Sequence, residues 1–149
     1  MSDKFSPKAF ELPIPINPAD IDVHGHVNNV VYVRWVQDAA VSHWRALATK
    51  EQQANVSWVV VRHEIDYKRP ARAEDSIIAA TWVGAATNAT FERFTEILRA
   101  ADRKVLASAR TLWCPIDAKT GKPVRVGQDI RERFSVQDKN PSPLLQDPA

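Results

Sequence analysis

The side chains best suited to chemistry crowd into one short run, Asp20-Ile21-Asp22-Val23-His24-Gly25-His26-Val27-Asn28-Asn29. It offers carboxylates, imidazoles and amides together. Transfer of an acyl group to water needs a group that attacks or activates water, one that orients it, and donors for the oxyanion. The apolar residues that follow predict a helix, so the run lies immediately before a helix N-terminus near Asn29 or Val30. The first backbone N–H groups of a helix have no internal partner, and the macrodipole puts about half a positive charge there. Such N–H groups can hold a carbonyl oxygen that gains negative charge. Asp22 is the central candidate, with His24, His26 and Asn29 around it.

Plainer readings stand beside that one. Asp20 and Asp22 also suit an Asx turn, and Asn28 or Asn29 an N-cap. Asp22, His24 and His26 alternate along the chain, and His63 or His43 would complete a metal site; glycine between the histidines and the lack of a further close ligand weigh against it. His43 and His63 read as structural histidines. Asp38 and Glu64 are secondary carboxylates, and Asp38 is spaced to pair with Arg34 at i, i+4 for a few tenths of a kcal/mol. Cys114, between Trp113 and Pro115, reads as a small core residue. The tryptophans read as packing.

The elements that position these residues follow from hydrophobic period. Prolines 13 and 15 limit Leu12 to Ile16 to an edge or interrupted strand. Asn17 to Asn29 is turn-like. Val30 to Ala48 predicts a helix in which Arg34, Asp38, Ser42 and Arg45 draw one polar stripe. The rest of its girth is apolar, which predicts burial on several sides. After about Val56 the period becomes two. Val56 to Tyr67 predicts a strand with Val59, Val61, His63, Ile65 and Tyr67 on one face. Ser76 to Val83, Phe91 to Arg99 and Val105 to Ile116 predict three more, and Phe91, Arg93, Thr95 and Ile97 share a face of the second of these. Short loops predict an antiparallel meander. Gln128 to Phe134 suits a short terminal helix. The fold class is therefore α+β, one long helix against an antiparallel sheet of about five strands. Residues 1–134 form a single domain in this reading, and 135–149 a mobile tail.

At this point the residues carry a resemblance. Asp22-Val23-His24-Gly25-His26-Val27-Asn28-Asn29-Val30-Val31-Tyr32 resembles the Asp-x-x-x-His-Val-Asn-Asn-x-x-Tyr signature of hotdog-fold thioesterases. It is similar to the 4-hydroxybenzoyl-CoA thioesterase group, and most to its long-chain acyl-CoA and plant acyl-carrier-protein variants. Ile65-Asp66-Tyr67-Lys68-Arg69-Pro70-Ala71 and Glu74-Asp75 extend the likeness. The resemblance implies a hotdog fold and edge-to-edge dimers or tetramers with active sites at the dimer interface. It implies that Asp22 is the catalytic carboxylate, as nucleophile or general base, that His26 is the motif histidine, and that Asn29 offers a backbone N–H to the carbonyl. His24 stands where the plant enzymes carry Asn. Another hotdog lineage places its carboxylate on the helix, where Asp38 lies.

The resulting expectation is an acyl-CoA thioesterase acting on a fatty or aromatic acyl group. An acyl-carrier-protein thioesterase is the nearest alternative, and a non-catalytic acyl-binding protein is the rival of another class. A dehydratase fits the Asp-before-helix arrangement less well. The acyl chain is expected along the apolar helix face near Val31, Tyr32 and Trp35. Lys68, Arg69 and Arg72 suit coenzyme A phosphates, although a solvated basic turn has the same composition. No cofactor and no metal is implied.

Composition bounds the alternatives. The chain has 149 residues, 44% hydrophobic and 26% charged, enough for one domain with its own core. A net charge of +2 demands neither nucleic acid nor an anionic membrane, and it permits a phosphate-bearing ligand. One cysteine allows no internal disulfide. Met1 to Phe10 lacks the apolar run of a signal peptide, and no stretch approaches the roughly 18 apolar residues of a membrane span. A cytoplasmic location is expected.

Overall fold

The computed structural model describes residues 9–135; the tail beyond Ser135, expected to be mobile, lies outside the described residues. Five strands form one antiparallel sheet: β1 (Phe10–Ile14), β2 (Val56–Tyr67), β3 (Ile77–Ala86), β4 (Phe91–Arg99) and β5 (Val105–Asp117). A long helix, α1 (Asn29–Leu47), packs on one face against β1, β3 and β4. Among the described residues two short α-helices, α2 (Lys50–Asn55) and α3 (Gln128–Phe134), and a 3-10 turn at Pro18–Asp20 complete the layout. This is the α+β hotdog arrangement. The Lys50–Asn55 helix is absent from the sequence reading because its residues bury nothing. A Thr49–Gln52 capping box holds it instead.

The sheet order is β1-β3-β4-β5-β2. Only β3, β4 and β5 form a meander. The expected simple succession of four strands is corrected here: β2 pairs with β5, so residues 68–76 must carry the chain across three strand positions, about 14 Å. Backbone hydrogen bonds hold that crossing along the sheet end. The N–H groups of Lys68 and Arg69 donate to Leu106 O, and Ser76 O accepts from Ala100 N.

A second correction concerns β2. Its pairing with β5 shifts register between Val60 and Arg62, and an extra residue in one strand reverses the alternation beyond it. Val56, Trp58 and Val60 are therefore partly buried before the bulge, and His63 and Ile65 after it. Val59 and Val61, expected on the face of His63, are exposed at 42% and 56%.

Small residues let α1 lie close to the sheet. Ala79, Thr81, Thr95, Ala107, Ala109 and Thr111 are all buried on β3, β4 and β5. Against them and around them pack Val31, Tyr32, Trp35, Ile77, Ile97 and Leu106. The helix is not buried on several sides within one protomer, as its apolar girth suggested. Val30 is 70% exposed, and Val41 and Leu47 are also open. The i, i+4 pair expected between Arg34 and Asp38 does not form; Arg34 Nη2 instead donates to Asp20 Oδ2 at 3.0 Å.

Candidate active site

The chemical run folds as a small hairpin immediately before α1. Asp22 N donates to His26 O at 2.7 Å, Gly25 N to Asp22 O at 3.0 Å, and Ile21 bridges Val27. Gly25 has φ of +82°, a left-handed conformation that side chains disfavour, so this tight return needs glycine. Asp22 Oδ1 then accepts the backbone N–H of His24 at 2.8 Å and of His26 at 3.0 Å. Its Oδ2 has no partner among the described residues. The N–H of His26, then that of His24 and the nearby imidazoles, hold the Asp22 carboxyl below its ordinary value despite some desolvation. The turn geometry of the plainer reading is thus real, and it leaves one ionised carboxylate oxygen uncommitted.

Longer-range bonds fix this hairpin to the helix and to the crossing segment. Val27 N donates to Ala71 O and Asn28 N to Asp20 O, each at 2.8 Å, and His26 bridges Arg72. Asp20 is buried, and its Oδ2 accepts Asn17 N at 2.9 Å as well as Arg34. The Arg34 guanidinium lowers its pKa first, ahead of the Asn17 bond. Asp20 is therefore the residue that braces the loop.

Asn28 is the N-cap of α1, its Oδ1 accepting Val30 N at 3.3 Å. Asn29, the first helical residue, has a backbone N–H with no partner among the described residues. Its carbonyl accepts the Tyr67 hydroxyl at 3.1 Å. Asp22, His24, His26 and Asn29 thus gather at one end of the helix. His24 is exposed and His26 half-buried, and neither ring has a hydrogen-bond partner among the described residues.

Residues expected to touch substrate are placed differently. Trp35 is fully buried, Tyr32 is 2% exposed, and Val31 is also in the core. The Tyr32 hydroxyl accepts Ala71 N at 3.0 Å, and its ring meets Trp35 and Tyr67. Burial raises its pKa. Tyr32 therefore clamps the crossing segment; it and Trp35 offer no open surface in the protomer. Lys68, Arg69 and Arg72 are exposed on that same segment, and the bridge to His26 puts Arg72 beside the hairpin. Arg69 Nη1 is tied to Val105 O at 3.2 Å. Among the described residues no cluster of three or more His, Cys, Asp or Glu side chains is arranged to hold a metal ion.

A cavity opens at the other end of α1. About 430 Å³ in volume, it is lined by Val41, Trp44, Trp58, Phe91, Phe134 and others, together with Arg93. Asn29 and Trp44 are separated by about 22 Å of helix. Arg93 is only 7% exposed; its Nη1 donates to His43 Nδ1 at 2.9 Å and to Thr81 Oγ1 at 3.0 Å. Among the described residues it has no carboxylate partner. Burial lowers its pKa to about 10, so it remains a cation at neutral pH. Burial first, and Arg93 second, lower that of His43 to about 3, so its ring is neutral and accepts through Nδ1. No motif in the sequence includes Arg93. Its one signal was its alternation with Phe91, Thr95 and Ile97, which puts a cation on the inward face of β4.

Comparison with known proteins bears on this geometry. A family profile described as the thioesterase-like superfamily matches residues 16–134. The long-chain acyl-CoA thioesterase FadM of Escherichia coli strain K12 is 26% identical over 126 residues, covering 81% of this chain and 93% of FadM. The structure of YbaW, a probable thioesterase from Escherichia coli, is 26% identical with a TM-score of 0.70, covering 83% of this chain and 94% of that one. The PA5185 protein of Pseudomonas aeruginosa strain PAO1 shares the fold with a TM-score of 0.78 at 22% identity, over 89% of this chain and 94% of that one.

Proposed function

The chain belongs to the thioesterase-like superfamily, and from that premise we propose that it hydrolyses fatty acyl-CoA with Asp22 as nucleophile. Thioester hydrolysis is the activity that membership carries, and the likeness to an acyl-CoA thioesterase supports the coenzyme A ester as substrate. The observation that carries the residue assignment is the state of Asp22. One oxygen is fixed by two backbone N–H groups and the other is free, in a hairpin that leads directly into α1. A carboxylate held ionised is a poor general base, whose ideal pKa lies near the working pH, and a competent nucleophile.

In this mechanism the thioester carbonyl oxygen rests on the Asn29 N–H at the positive end of α1. Asp22 Oδ2 attacks the carbonyl carbon, and the tetrahedral oxyanion is held by that N–H and the helix dipole. Collapse breaks the C–S bond, and the thiolate leaves with the electron pair. Thiolate is a good leaving group, so no strong acid is required. Water then cleaves the mixed anhydride, returning the Asp22 carboxylate and releasing the free acid. His26 orients that water, and the exposed His24 lies at the mouth of the hairpin. Lys68 and Arg72 meet the coenzyme A phosphates as point and forked charges.

The position of the cavity supports a dimer as the working unit. Among the described residues β2 is an unpaired sheet edge of 12 residues. Pairing of two such edges about a two-fold axis is antiparallel, so the Val56 end of one strand lies beside the Tyr67 end of the other. Tyr67 is bonded to Asn29, while Val56, Ser57 and Trp58 line the cavity. The cavity of one protomer is thereby brought towards the helix N-terminus of its partner, which supplies the acyl pocket that Tyr32 and Trp35 do not.

The test is free-thiol release from a panel of short, long and aromatic acyl-CoAs, with wild type and Asp22→Asn. Turnover that collapses in the variant is expected. No turnover on any coenzyme A ester, with release from acyl-carrier-protein esters, would move the substrate to that class. No release from either would leave an acyl-binding protein.

A further inference from the structure

A buried cation facing apolar space calls for an anion. Moving an ionised group out of water costs several kcal/mol unless it is paired, and Lys and Arg are almost never fully buried without a partner. Arg93 breaks that pattern. Its two contacts are a neutral imidazole and a hydroxyl, both through Nη1, and its Nε and Nη2 have no partner among the described residues. It is one of the residues lining the 430 Å³ cavity.

The other charges at the cavity do not compensate it. Among the described residues Glu92 is the one acid at the lining, and its Oε2 is engaged by Arg110 Nε at 2.6 Å while Oε1 accepts Ala85 N at 3.1 Å. Arg45 adds a second cation at the lining. The remaining walls are largely apolar and aromatic, Trp44, Trp58, Phe91 and Phe134 among them. An occupant must therefore be apolar along its length and anionic at the end that reaches Arg93.

We propose that this cavity is a binding site for an aliphatic carboxylate, with the carboxylate on the Arg93 guanidinium and the chain along the aromatic wall that Trp58, Trp44 and Phe134 form by direct ring contact. A planar carboxylate matches the free Nε and Nη2 in a forked pair. His43 fixes the guanidinium from behind: its ring is stacked on Phe10 at 4.9 Å between centroids and meets Phe134 edge-on at 5.0 Å. Two sources supply this chemistry. One is the free acid that a thioesterase releases, and the other is the distal carboxylate of an ω-carboxyacyl substrate. The choice between the sources rests on the thioesterase reading; the site itself does not.

The binding test uses the quenching of Trp44 and Trp58 fluorescence, with dodecanoate against dodecanol and dodecylammonium. Wild type is expected to hold dodecanoate at least about tenfold more tightly than dodecanol, and dodecylammonium most weakly, as a charge-assisted hydrogen bond predicts. Arg93→Met is expected to bind acid and alcohol about equally, and retained dodecanol binding shows that its cavity is intact. Arg93→Lys should keep part of the preference, which provides a second reading if the methionine variant does not fold. Equal binding of acid and alcohol by wild type overturns the proposal, as does binding of neither, or a preference that survives in Arg93→Met.

A kinetic arm separates the sources. Faster turnover of the ω-carboxydodecanoyl thioester than of the dodecanoyl thioester, lost in Arg93→Met, assigns the carboxylate to the substrate. Inhibition by dodecanoate that Arg93→Met relieves assigns it to the released acid. Absence of both overturns a role in the reaction. Asp22→Asn that loses turnover and keeps dodecanoate binding separates this site from the proposed nucleophile.

Discussion

The two ends of α1 solve opposite electrostatic problems. At its N-terminus, Asp22 is a partly exposed carboxylate whose negative charge is served by backbone N–H groups two and four residues away. Near its C-terminal half, Arg93 is a buried cation on a distant strand, with no backbone acceptor and no acid among the described residues. The first charge is stabilised by its own turn and by a dipole. The second is held against its desolvation cost by packing of α1, α3, β1, β3 and β4 around it. Polar groups that chemistry uses can be made ready by local geometry; polar groups that select a ligand can be left wanting one.

Breaking the first end should have the largest effect. Asp22→Asn removes the attacking oxygen while keeping an acceptor for the His24 and His26 N–H groups. It is expected to lower turnover of the preferred acyl-CoA by on the order of 10³-fold with little change in melting temperature. A variant within a few-fold of wild type would remove Asp22 from the site.

Acid separates the two ends by window. His43 has its pKa lowered from 6.5 unfolded to about 3 folded, so the unfolded chain takes up a proton first. Stability associated with the neutral ring is present above pH 6.5 and is lost as pH falls towards 3, by roughly 5 kcal/mol. Asp22, lowered from 3.8, contributes stability above that value and loses it only at lower pH. Urea unfolding between pH 7 and 4 should therefore weaken wild type more steeply than His43→Asn. Equal slopes would mean that His43 does not stay neutral on folding.

Smaller effects sharpen the first end. Asp20→Ala removes the buried acceptor of Asn17 N–H and Arg34, and should cost about 2 kcal/mol in chemical denaturation, discounted because the Arg34 side chain is 46% exposed. No loss would show that the Asn28–Asp20 backbone bond alone braces the loop. Asn28→Ala removes the helix cap and should cost about 1 kcal/mol by the same measurement. A cost larger than that of Asp20→Ala would reverse the order of support assigned to the loop.

Much of this was legible in the residues. Period separated the helix of Val30 to Ala48 from the strands, and the bounds of Phe91–Arg99 and Gln128–Phe134 agree with those observed. The turn at Asp22 was legible too, because an Asx turn acts over a few peptide units, whereas its closure into a hairpin by the Ile21–Val27 bridge was not. Nor was the β2 bulge. An extra residue is invisible in a run of valines, and only the partner strand reveals which of Val60, Val61 and Arg62 is unpaired. The crossing of residues 68–76 was missed for a related reason: loop length limits where a chain can go, and hydrogen bonds to Leu106 and Ser76 decide where it does.

The local chemistry is written in the order of the residues: a carboxylate in a tight turn before a helix, since backbone donors lie close along the chain wherever that turn forms. Tertiary structure alone decided which apolar residues enclose space and which fill it. Trp35 and Trp44 lie on the same helix, yet one is sealed in the core and the other lines the cavity. It also decided that Arg93 meets His43 and no acid among the described residues, because burial and pairing are set by elements far apart in the chain, whose distances no short spacing encodes.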